Sequence, residues 1–572
     1  SLRLLRNADE ATVIDRLDQL LERYGGRGAY GRADQLSHAF LDNELEQLRA
    51  MALIIPPIFL AVAGFLLNIT LDRLVQTERE LIGLLKALGY GPVQIGWHYT
   101  KLVLVIAALG MALGFALGTW LGGGLTEMYR DFFRFPYLFF RREPDVFVLA
   151  GLVTLGAALL GALRAVARAV RLPPAVAMAP PTPPRFRRHW YDRIGLARLL
   201  SQPSLMIVRH LTRWPVRAGL TVLGLALGGG ILVGTMFFVE AIDHMIDVTF
   251  FRTERSDATI VLGEIANDGV VDEALRLPGV LSAEPVRRVA VRLHAGPRSE
   301  RTALYGRAPG NALSRLLDAD LNPVRVPEFG LLLPDQLALM LDVGLGDTVR
   351  AEVLEGRQPV LDLPVTGITG GYIGIEASMD LAALNDALGD PPVVSSVNLM
   401  IDPAARDAFY AEVKELPAVA SLILWDVALL NFRDTVGQNI LISTVLYTAF
   451  AGLIAFGVVY NSARIALSER GRELASLRVL GFTASEAAWI LLGELALLTL
   501  ASIPLGWLLG YGLAWLIVSG IEGELFRIPL IIGRQTYGQA ALVVIAAALV
   551  SGLIIRRRIR GLDLIAVLKT RE

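Results

Sequence analysis

Seven long apolar runs constrain this chain more than any other feature of its sequence. Each is long enough to cross a hydrocarbon core about 30 Å thick, which takes about 20 residues of α-helix. Composition agrees, since 54% of the 572 residues are hydrophobic and only 19% are charged, whereas soluble domains carry about 25% charged residues. We therefore predict an all-α transmembrane bundle with spans at residues 51–71, 99–121, 146–170, 216–239, 440–460, 487–518 and 537–555.

Arginine sets the predicted orientation of these helices, because loops rich in Lys and Arg stay on the cytoplasmic side. Residues 164–217 hold eleven arginines and one acidic residue, Asp192, and residues 556–560 hold four more arginines. Both regions are therefore predicted to be cytoplasmic. Alternation then places residues 72–98 and 462–486 inside, and residues 122–145, 240–439 and 519–536 outside.

The same alternation puts residue 1 on the outer side of the membrane. The first 50 residues contain no apolar signal core that could carry them across. We therefore expect a further helix and most of an outer domain upstream of residue 1, which would bring the bundle to eight spans.

One short charged phrase occurs twice in the chain. RELIGLLKALGYGPVQIGWHY occupies residues 79–99, and RELASLRVLGFTASEAAWIL occupies residues 472–491. The match extends into the apolar helices on both sides in the same membrane orientation, which indicates a parallel repeat, unlike the inverted repeats of many secondary transporters. The matched pairs include Asn68 with Asn461, Lys86 with Arg478, Gly89 with Gly481, Tyr90 with Phe482, Gly114 with Gly506 and Gly118 with Gly510.

The repeat and the charge pattern together predict the domain plan. Residues 1–50 end a first extracytoplasmic domain, and residues 171–215 form a basic, Pro-rich cytoplasmic linker, within which residues 173–190 are expected to be extended. A single span at 216–239 then leads into a complete extracytoplasmic α+β domain at 240–439. The other predicted parts are two three-helix repeats, 51–170 with inner segment 79–98 and 440–556 with inner segment 472–486, and a cytoplasmic tail, 557–572.

Alternating and β-branched stretches place strands in the complete outer domain. We predict strands at residues 257–262, 286–296 and 301–307, and helices followed by turns at 270–280 and 333–349. Two short amphipathic helices, at 11–26 and 403–419, are predicted at a similar distance before a span. This correspondence indicates that the outer parts are repeated as well.

Several types of site are excluded or disfavoured by the residues present. The chain has no cysteine, so disulfides, thiolate zinc sites and cysteine nucleophiles are excluded. No G-x-x-x-x-G-K-[ST] phosphate loop occurs, so ATP and Mg²⁺, if used, are expected in another chain. The six histidines lack metal-ligand spacing, so no metal or other cofactor is predicted in this chain. We also predict neither catalysis by this chain nor a nucleic-acid partner.

Three polar residues fall inside the predicted spans or at their ends. Asn68 and Asn461 are predicted to form interhelical hydrogen bonds, with substrate contact as the alternative. Glu494 lies within the sixth span, where a carboxylate is often functional. It is expected either to reach the interface or pair with Arg478 or Arg464, or to relay protons.

Two further segments each allow two interpretations. Residues 128–142, MYRDFFRFPYLFFRR, are aromatic and basic. They could anchor the chain at the outer membrane interface or hold a lipid-like substrate. The basic linker could enforce topology alone or also bind anionic lipid headgroups.

The two matched phrases resemble the inner loop of FtsX/MacB-type ABC transporter permeases. The outer stretch LPDQLALMLDVGLGDTV and the ending GLDLIAVLKTRE are similar to other parts of the same proteins. The resemblance covers nearly the whole chain and is greatest to the large bacterial permeases with two such units in one polypeptide. It implies that the glycine–aromatic segments are coupling helices that dock on a dimer of ATP-binding subunits. The implied coupling residues are Gly89, Tyr90, Gly91, Pro92, Val93, Gln94, Gly481, Phe482, Thr483, Ala484, Ser485 and Glu486.

The predicted function is therefore that of a permease subunit in the inner membrane of a bacterium, with a periplasmic domain. ATP hydrolysis in the partner would move the outer domains and extrude or handle a lipid, a lipoprotein or a hydrophobic compound. Expected partners are an ABC ATPase dimer, membrane lipids and an extracytoplasmic protein. The alternatives are a signalling permease that activates an outer enzyme without transport, and a secondary transporter driven by protons through Glu494.

Overall fold

The computed structural model describes residues 2, 4, 8–21, 24, 29–32, 35–171, 173–178, 201–372, 374–520 and 527–560. The chain divides into two compact units. The membrane unit comprises Met51–Phe237, Ile442–Ile517 and Ile532–Glu572, and the sheet unit comprises Ser1–Ala50, Phe238–Leu441 and Val518–Ile531. Apolar helices build the first unit, and a β-sheet with short helices builds most of the second.

Seven helices in the described part of the chain are long and apolar enough to cross a membrane, namely α2, α4, α5, α8, α13, α14 and α15. Together with the α+β sheet unit they confirm the predicted fold class. The helices are α1 (Glu10–Leu21), α2 (Leu36–Thr77), α3 (Arg79–Ala87), α4 (Pro92–Phe133), α5 (Pro144–Arg171), α6 (Pro174–Met178), α7 (Gln202–Arg213), α8 (Pro215–Asp247), α9 (Gly269–Leu275), α10 (Asp335–Leu341), α11 (Leu381–Leu388), α12 (Arg406–Val413), α13 (Trp425–Val479), α14 (Ala484–Gly520) and α15 (Arg534–Arg560).

Several helices extend beyond the apolar runs, because hydropathy locates lipid contact and not helix ends. Helix α4 begins at Pro92, seven residues before the predicted start at 99. Helix α8 continues past residue 239 to Asp247 and is followed by a π-helical turn, Val248–Thr253. Helix α13 runs through the predicted inner loop as far as Val479, so the loop predicted from residue 462 is mostly helical.

The predicted linker is partly helical, and the extended conformation expected at residues 173–190 is wrong for the described residues Pro174–Met178. Helix α6 lies directly after α5, and α7 lies directly before α8. Both begin with proline in the first turn, where the missing N–H costs no helical hydrogen bond. Residues 179–200 of the linker and residues 561–572 of the predicted tail lie outside the described residues.

Helix α8 is the most enclosed of the seven candidate spans. Within its most apolar 18-residue window 67% of the residues are buried, against 6–44% in the other six. Its glycines face both repeats, since a side-chain carbon added at Gly224 would contact Phe65 of α2 and Val458 of α13. The core around α8 also takes residues from α2, α13 and α15, including Val62, Ala451 and Val544.

The sheet unit contains nine strands in one sheet that partly closes on itself. The order is β11-β1-β10-β2-β3-β9-β6-β8-β7, and β2 also pairs with β7. Six strands from β2 to β7 therefore form a closed barrel, while β11, β1 and β10 continue outward from β2 as an antiparallel sheet. The strands are β1 (Ala258–Asn267), β2 (Val280–Ala295), β3 (Arg298–Arg307), β4 (Leu316–Leu317), β5 (Pro323–Val324), β6 (Leu331–Pro334), β7 (Thr348–Val353), β8 (Val360–Thr369), β9 (Ala377–Asp380), β10 (Val393–Ile401) and β11 (Val419–Leu424).

Two hydrophobic cores stabilise the sheet unit. The barrel is filled by β-strand side chains such as Val291 and Leu304, and is closed by Leu337 of α10 and Leu384 of α11. The outward sheet packs against α9 and α12, with Phe409 fully buried. Each core gains stability from apolar area removed from water.

The strands and helices predicted in this domain are present with shifted ends, and one prediction is wrong. The helix expected at 403–419 ends at Val413. Residues from Val419 onward instead form β11, in which Val419 pairs with Leu262 of β1. Proline at 417 interrupts the helical pattern, and the β-branched and apolar residues after it suit an edge strand. The helix expected at 11–26 is described as α1, which ends at Leu21.

Candidate functional site

The two matched inner segments contain the same backbone turn. Gly89 and Gly481 both adopt left-handed conformations, with φ of 96° and 101°. Glycine takes this conformation without the steric penalty of a Cβ and is common after the last helical residue. In the first segment the N–H groups of Gly89 and Tyr90 bond to the carbonyls of Lys86 and Leu85, each at 3.1 Å, which closes the end of α3.

The residue two positions after each glycine caps the following span. The Gly91 N–H donates to Gln94 Oε1 at 2.9 Å at the start of α4. At the equivalent place before α14, the Thr483 N–H donates to Glu486 Oε2 at 2.8 Å, and the Glu486 N–H donates back to Thr483 Oγ1 at 3.3 Å. Such reciprocal bonds form a capping box. The two caps have the same spacing, 91 to 94 and 483 to 486. Matching residue types did not identify this part of the repeat, because the capping residues differ between the two copies.

Both turns present apolar side chains to solvent next to the caps. Leu88, Tyr90 and Val93 are exposed in the first segment, as are Val479 and Leu480 in the second. Phe482 is half-buried. Each of these residues lies within four positions of its left-handed glycine, so the two segments present similar protruding surfaces. We call Leu88–Gln94 and Val479–Glu486 the first and second inner turns.

Basic side chains of α3, which leads into the first inner turn, bond to the helices beside it. Lys86 Nζ donates to the carbonyls of Ala169 and Val170, at 3.1 and 2.8 Å, at the C-terminal end of α5. A positive charge is favourable there because the helix dipole is negative at that end, while burial lowers the pKa of Lys86. Arg79 Nε donates to the carbonyl of Ala177 in α6 at 3.2 Å. Helix α3 is therefore bonded to both α5 and α6.

The two asparagines of the repeat bond between helices in different ways. Asn68 Nδ2 donates to the carbonyl of Gly161 at 2.7 Å, where α2 and α5 lie so close that a Cβ on Gly161 would be 2.5 Å from the Gly64 oxygen. Asn461 Nδ2 donates to Thr70 Oγ1 at 2.8 Å, which joins α13 to α2. The first bond lies within one repeat, and the second connects the two repeats.

Glu494 is buried and meets a residue that the sequence analysis did not name as its partner. Its Oε1 lies 2.9 Å from Nδ1 of His210 on α7. Arg73, Trp214 and Ser462 line a small cavity at the same place. This contact attaches the amphipathic helix α7 to the span α14. Because 284 residues separate the two partners in sequence, no local pattern could have indicated it.

We expect the second cap, unlike the first, to weaken at acid pH. The bonds from Thr483 hold the pKa of Glu486 below its usual range. Since the folded pKa is the lower one, the cap stabilises above the unfolded pKa and is lost as pH falls through the folded value. The measurement is amide hydrogen exchange, expressed as protection factors at neutral and acid pH.

The first inner turn supplies the matched control for this prediction. The Gly91 amide bonds to the uncharged Gln94, so its protection factor should stay constant over the same pH range. Glu486→Gln should make the Thr483 amide equally insensitive to pH. Equal losses of protection at Gly91 and Thr483 would contradict the prediction.

Among the described residues, no group of three His, Asp or Glu side chains is placed to hold a metal ion. The inner turns themselves present exposed apolar side chains beside capped helix starts.

Comparisons with known proteins give two matches within the chain. The family model "FtsX-like permease C-terminal" matches residues 53–174 and again 445–564. These two regions contain the first and second inner turns respectively. No curated protein matches the chain significantly.

Two solved structures similar to the chain cover about a third of it or less. One is the periplasmic region of MacB from Actinobacillus actinomycetemcomitans, at 13% identity and a TM-score of 0.23, covering 32% of this chain and 94% of that one. Another is the extracellular domain of the noncanonic ABC-type transporter YknZ from Gram-positive bacteria, at 14% identity and a TM-score of 0.20. That match covers 27% of this chain and 87% of the other.

Proposed function

We propose that this chain, which matches the FtsX-like permease model at residues 53–174 and 445–564, is the membrane subunit of an ABC transporter powered by a separate ATPase. ATP and Mg²⁺ would be bound by that partner. The chain would lie in the inner membrane of a bacterium, with the sheet unit in the periplasm. The geometry of the inner turns and of the helices that leave them supports this proposal.

The two inner turns support docking on an ATPase dimer. Each combines a left-handed glycine, a capped helix start and protruding apolar side chains, in two copies with the same chain direction. Exposed apolar groups rimmed by polar residues are typical of protein interaction sites. A dimer presents two equivalent surfaces, so a duplicated turn matches it with one contact for each repeat.

The continuity of helix α13 is the observation that most strongly supports the proposed mechanism. It begins at Trp425, directly after strand β11, and ends at Val479, two residues before Gly481. Its 55 residues span about 80 Å at 1.5 Å per residue. In the proposed mechanism, displacement at the inner end of this continuous helix would be transmitted along its length. We propose that closure of the ATPase dimer moves the inner turns and, through α13, biases the sheet unit between two states.

The proposed cargo is amphipathic or apolar: a lipid, a lipoprotein or a hydrophobic compound. The aromatic segment after α4 supports this choice, since Tyr137 and Phe139 are exposed. Phe140 is also exposed, and its ring lies 2.7 Å from a Cβ placed on Gly122 of α4. Aromatic rings at an outer interface suit contact with lipid chains and headgroups.

Purification from native membranes followed by reconstitution tests the proposal. We expect an ABC ATPase to be retained with the chain, and ATP to drive movement of a labelled lipid or lipoprotein in vesicles. ATP hydrolysis that stimulates an outer enzyme and moves no cargo would instead support the signalling alternative. Cargo movement by the chain without any ATPase would overturn the proposal.

Glu494→Gln should leave ATP-driven activity unchanged. Glutamine keeps an oxygen that can accept a hydrogen bond from His210, so the contact between α7 and α14 persists without a carboxylate. The measurement is cargo movement per ATP hydrolysed in vesicles. Movement that stops while hydrolysis continues would support the proton-driven alternative. Glu494→Ala is the control that removes the acceptor itself.

A further inference from the structure

The loop between α14 and α15 belongs to the sheet unit, although both helices are candidate spans of the membrane unit. The sheet unit includes Val518–Ile531, while the chain before Val518 and after Ile531 belongs to the membrane unit. Residues 527–531 of this loop are described, and we call them the outer loop. The outer loop is therefore a part of the sheet unit that continues directly into a span.

Arg527 bonds the outer loop to two separate segments of the sheet unit. Its guanidinium donates to the carboxylate of Asp335, the first residue of α10. Its backbone N–H donates to the carbonyl oxygen of Tyr372 at 3.0 Å, in the segment that follows β8. A charge-assisted bond from the side chain and a neutral bond from the main chain thus hold the same residue.

Both partners of Arg527 lie on parts of the sheet unit that are themselves held in place. Helix α10 closes the barrel with Leu337 and Leu341, which are almost fully buried. The hydroxyl of Tyr372 lies 3.4 Å from Nε2 of His244 on α8, and the two ring centroids are 5.5 Å apart. A displacement of Arg527 would therefore act on the barrel through α10 and through the segment after β8.

The chain itself connects the spans to a different part of the sheet. Helix α8 leads through the π-helical turn into β1, and β11 leads into α13. Strands β11 and β1 are neighbours at one end of the strand order, whereas α10 packs on β6 and β8 of the barrel. The contact of Arg527 is therefore an attachment of the barrel, separate from the two strands that continue into spans.

We propose that the outer loop is a second attachment, joining α14 to the barrel, with Arg527 as its positioning residue. The inference rests on the proposed function, because it concerns how movement of the second inner turn would reach the sheet unit. Helix α14 begins at Ala484 within that turn and ends at Gly520, just before the outer loop. Movement would thus reach the outward sheet through α13 and the barrel through α14.

Arg527→Gln should weaken the coupling of the transporter and leave its stability unchanged. The side chains of Arg527 and Asp335 are 52% and 22% exposed, and ion pairs at such positions contribute little to folding. They can still bias an equilibrium by up to about fivefold. We therefore expect the amount of fluorescent phosphatidylethanolamine moved per ATP hydrolysed in vesicles to fall by about twofold to fivefold, with the unfolding temperature unchanged.

Two further variants separate the positioning role from a general effect of charge. Arg527→Lys keeps a cation opposite Asp335 and should retain most of the coupling. Arg350→Gln removes an arginine from another exposed ion pair of the barrel, with Asp362, in which both side chains are 65% exposed. It should change neither the coupling nor the unfolding temperature.

Reversible crosslinking in native membranes tests the contact itself. The chain contains no cysteine, so Arg527→Cys and Asp335→Cys can be joined by a bifunctional methanethiosulfonate. The spacer of this reagent replaces the length of the arginine side chain, and reductant removes it. We expect equal crosslinking with and without ATP, and normal coupling in the crosslinked transporter that falls by about twofold to fivefold on reduction. The matched pair Arg350→Cys with Asp362→Cys should be insensitive to reductant.

Several results would overturn the second attachment. No crosslink, or a crosslink that forms only without ATP, would show that the contact is absent or opens during the cycle. Coupling unaffected by Arg527→Gln, or abolished by the crosslink, would show that the contact does not transmit movement. An unchanged chain that retains no ATPase or moves no labelled lipid would instead contradict the proposed function, and the yield of crosslink would still decide whether the attachment exists.

Discussion

Replacing Tyr90 and Phe482 together by aspartate should abolish ATP-driven activity of the assembled transporter. Docking would bury these side chains, and an unpaired carboxylate in an apolar interface costs several kcal/mol. Since about 1.4 kcal/mol changes affinity tenfold, each contact should weaken by about a hundredfold or more. The single replacements should each leave part of the activity, because one inner turn remains intact. The measurements are retention of the ATPase during purification and cargo movement in vesicles.

The exchange Tyr90→Phe with Phe482→Tyr is the matched control for the double aspartate variant. It keeps the aromatic surface and alters only one hydroxyl at each turn, so activity and ATPase retention should stay near those of the unchanged chain. Both turns lie outside the buried cores, and the double aspartate variant should therefore insert and fold normally. A double aspartate variant that retains the ATPase and moves cargo would show that the inner turns are not the docking sites.

Gly510→Leu should destabilise the membrane unit more than any substitution on its lipid-facing surfaces. A Cβ at this position would lie 2.4 Å from Cβ of Val233 and 3.0 Å from the carbonyl oxygen of Gly230, so α8 and α14 must separate. Overpacking a filled core typically costs about 1–3 kcal/mol, and separating two helices adds the loss of their other contacts. The measurement is thermal unfolding of the purified protein in detergent.

Gly512→Leu, on the same helix, is the control for this prediction. A Cβ at Gly512 meets nothing within 4 Å, so leucine there should have little effect on the unfolding temperature. Similar unfolding temperatures for the two variants would contradict the assigned crossing of α8 and α14.

Sequence reasoning located the helices but not their ends. Twenty or more apolar residues in a row leave little choice of fold in a membrane, so all seven spans were found. The ends depend on individual caps: Gly91 bonded to Gln94 starts α4 seven residues before its apolar run. Capping hydrogen bonds of this kind have little effect on the hydropathy profile from which the spans were predicted.

The partners of buried side chains and of strands could not be predicted from the sequence, for a different reason. Glu494 meets His210 from a helix 284 residues away. Strand β2 pairs with β10, β3 and β7 at once, and this closes the barrel. These pairings are set by the packing of the whole domain, so periodicity within one segment carries no information about them.

The repeat identified the two inner turns from the sequence. It did not indicate that the helices following them have different neighbours. It correctly paired Gly89 with Gly481, which share a left-handed backbone. It also paired Gly114 and Gly118 with Gly506 and Gly510, yet one pair is exposed and the other is packed against α8. Identity of residue type shows a common origin of the two helices, while the neighbours of each helix decide what its glycines contact.

Sidedness of the two inner turns is the most direct test of the proposed mechanism. The chain contains no cysteine, so Tyr90→Cys and Phe482→Cys can each be labelled without background by a maleimide that does not cross membranes. Leu339→Cys, at an exposed position of the sheet unit, reports the opposite side. Both inner turns should react in inside-out vesicles and not in intact cells, and residue 339 should show the reverse. Labelling of positions 90 and 482 from opposite sides of the membrane would contradict a mechanism in which one ATPase dimer moves both repeats.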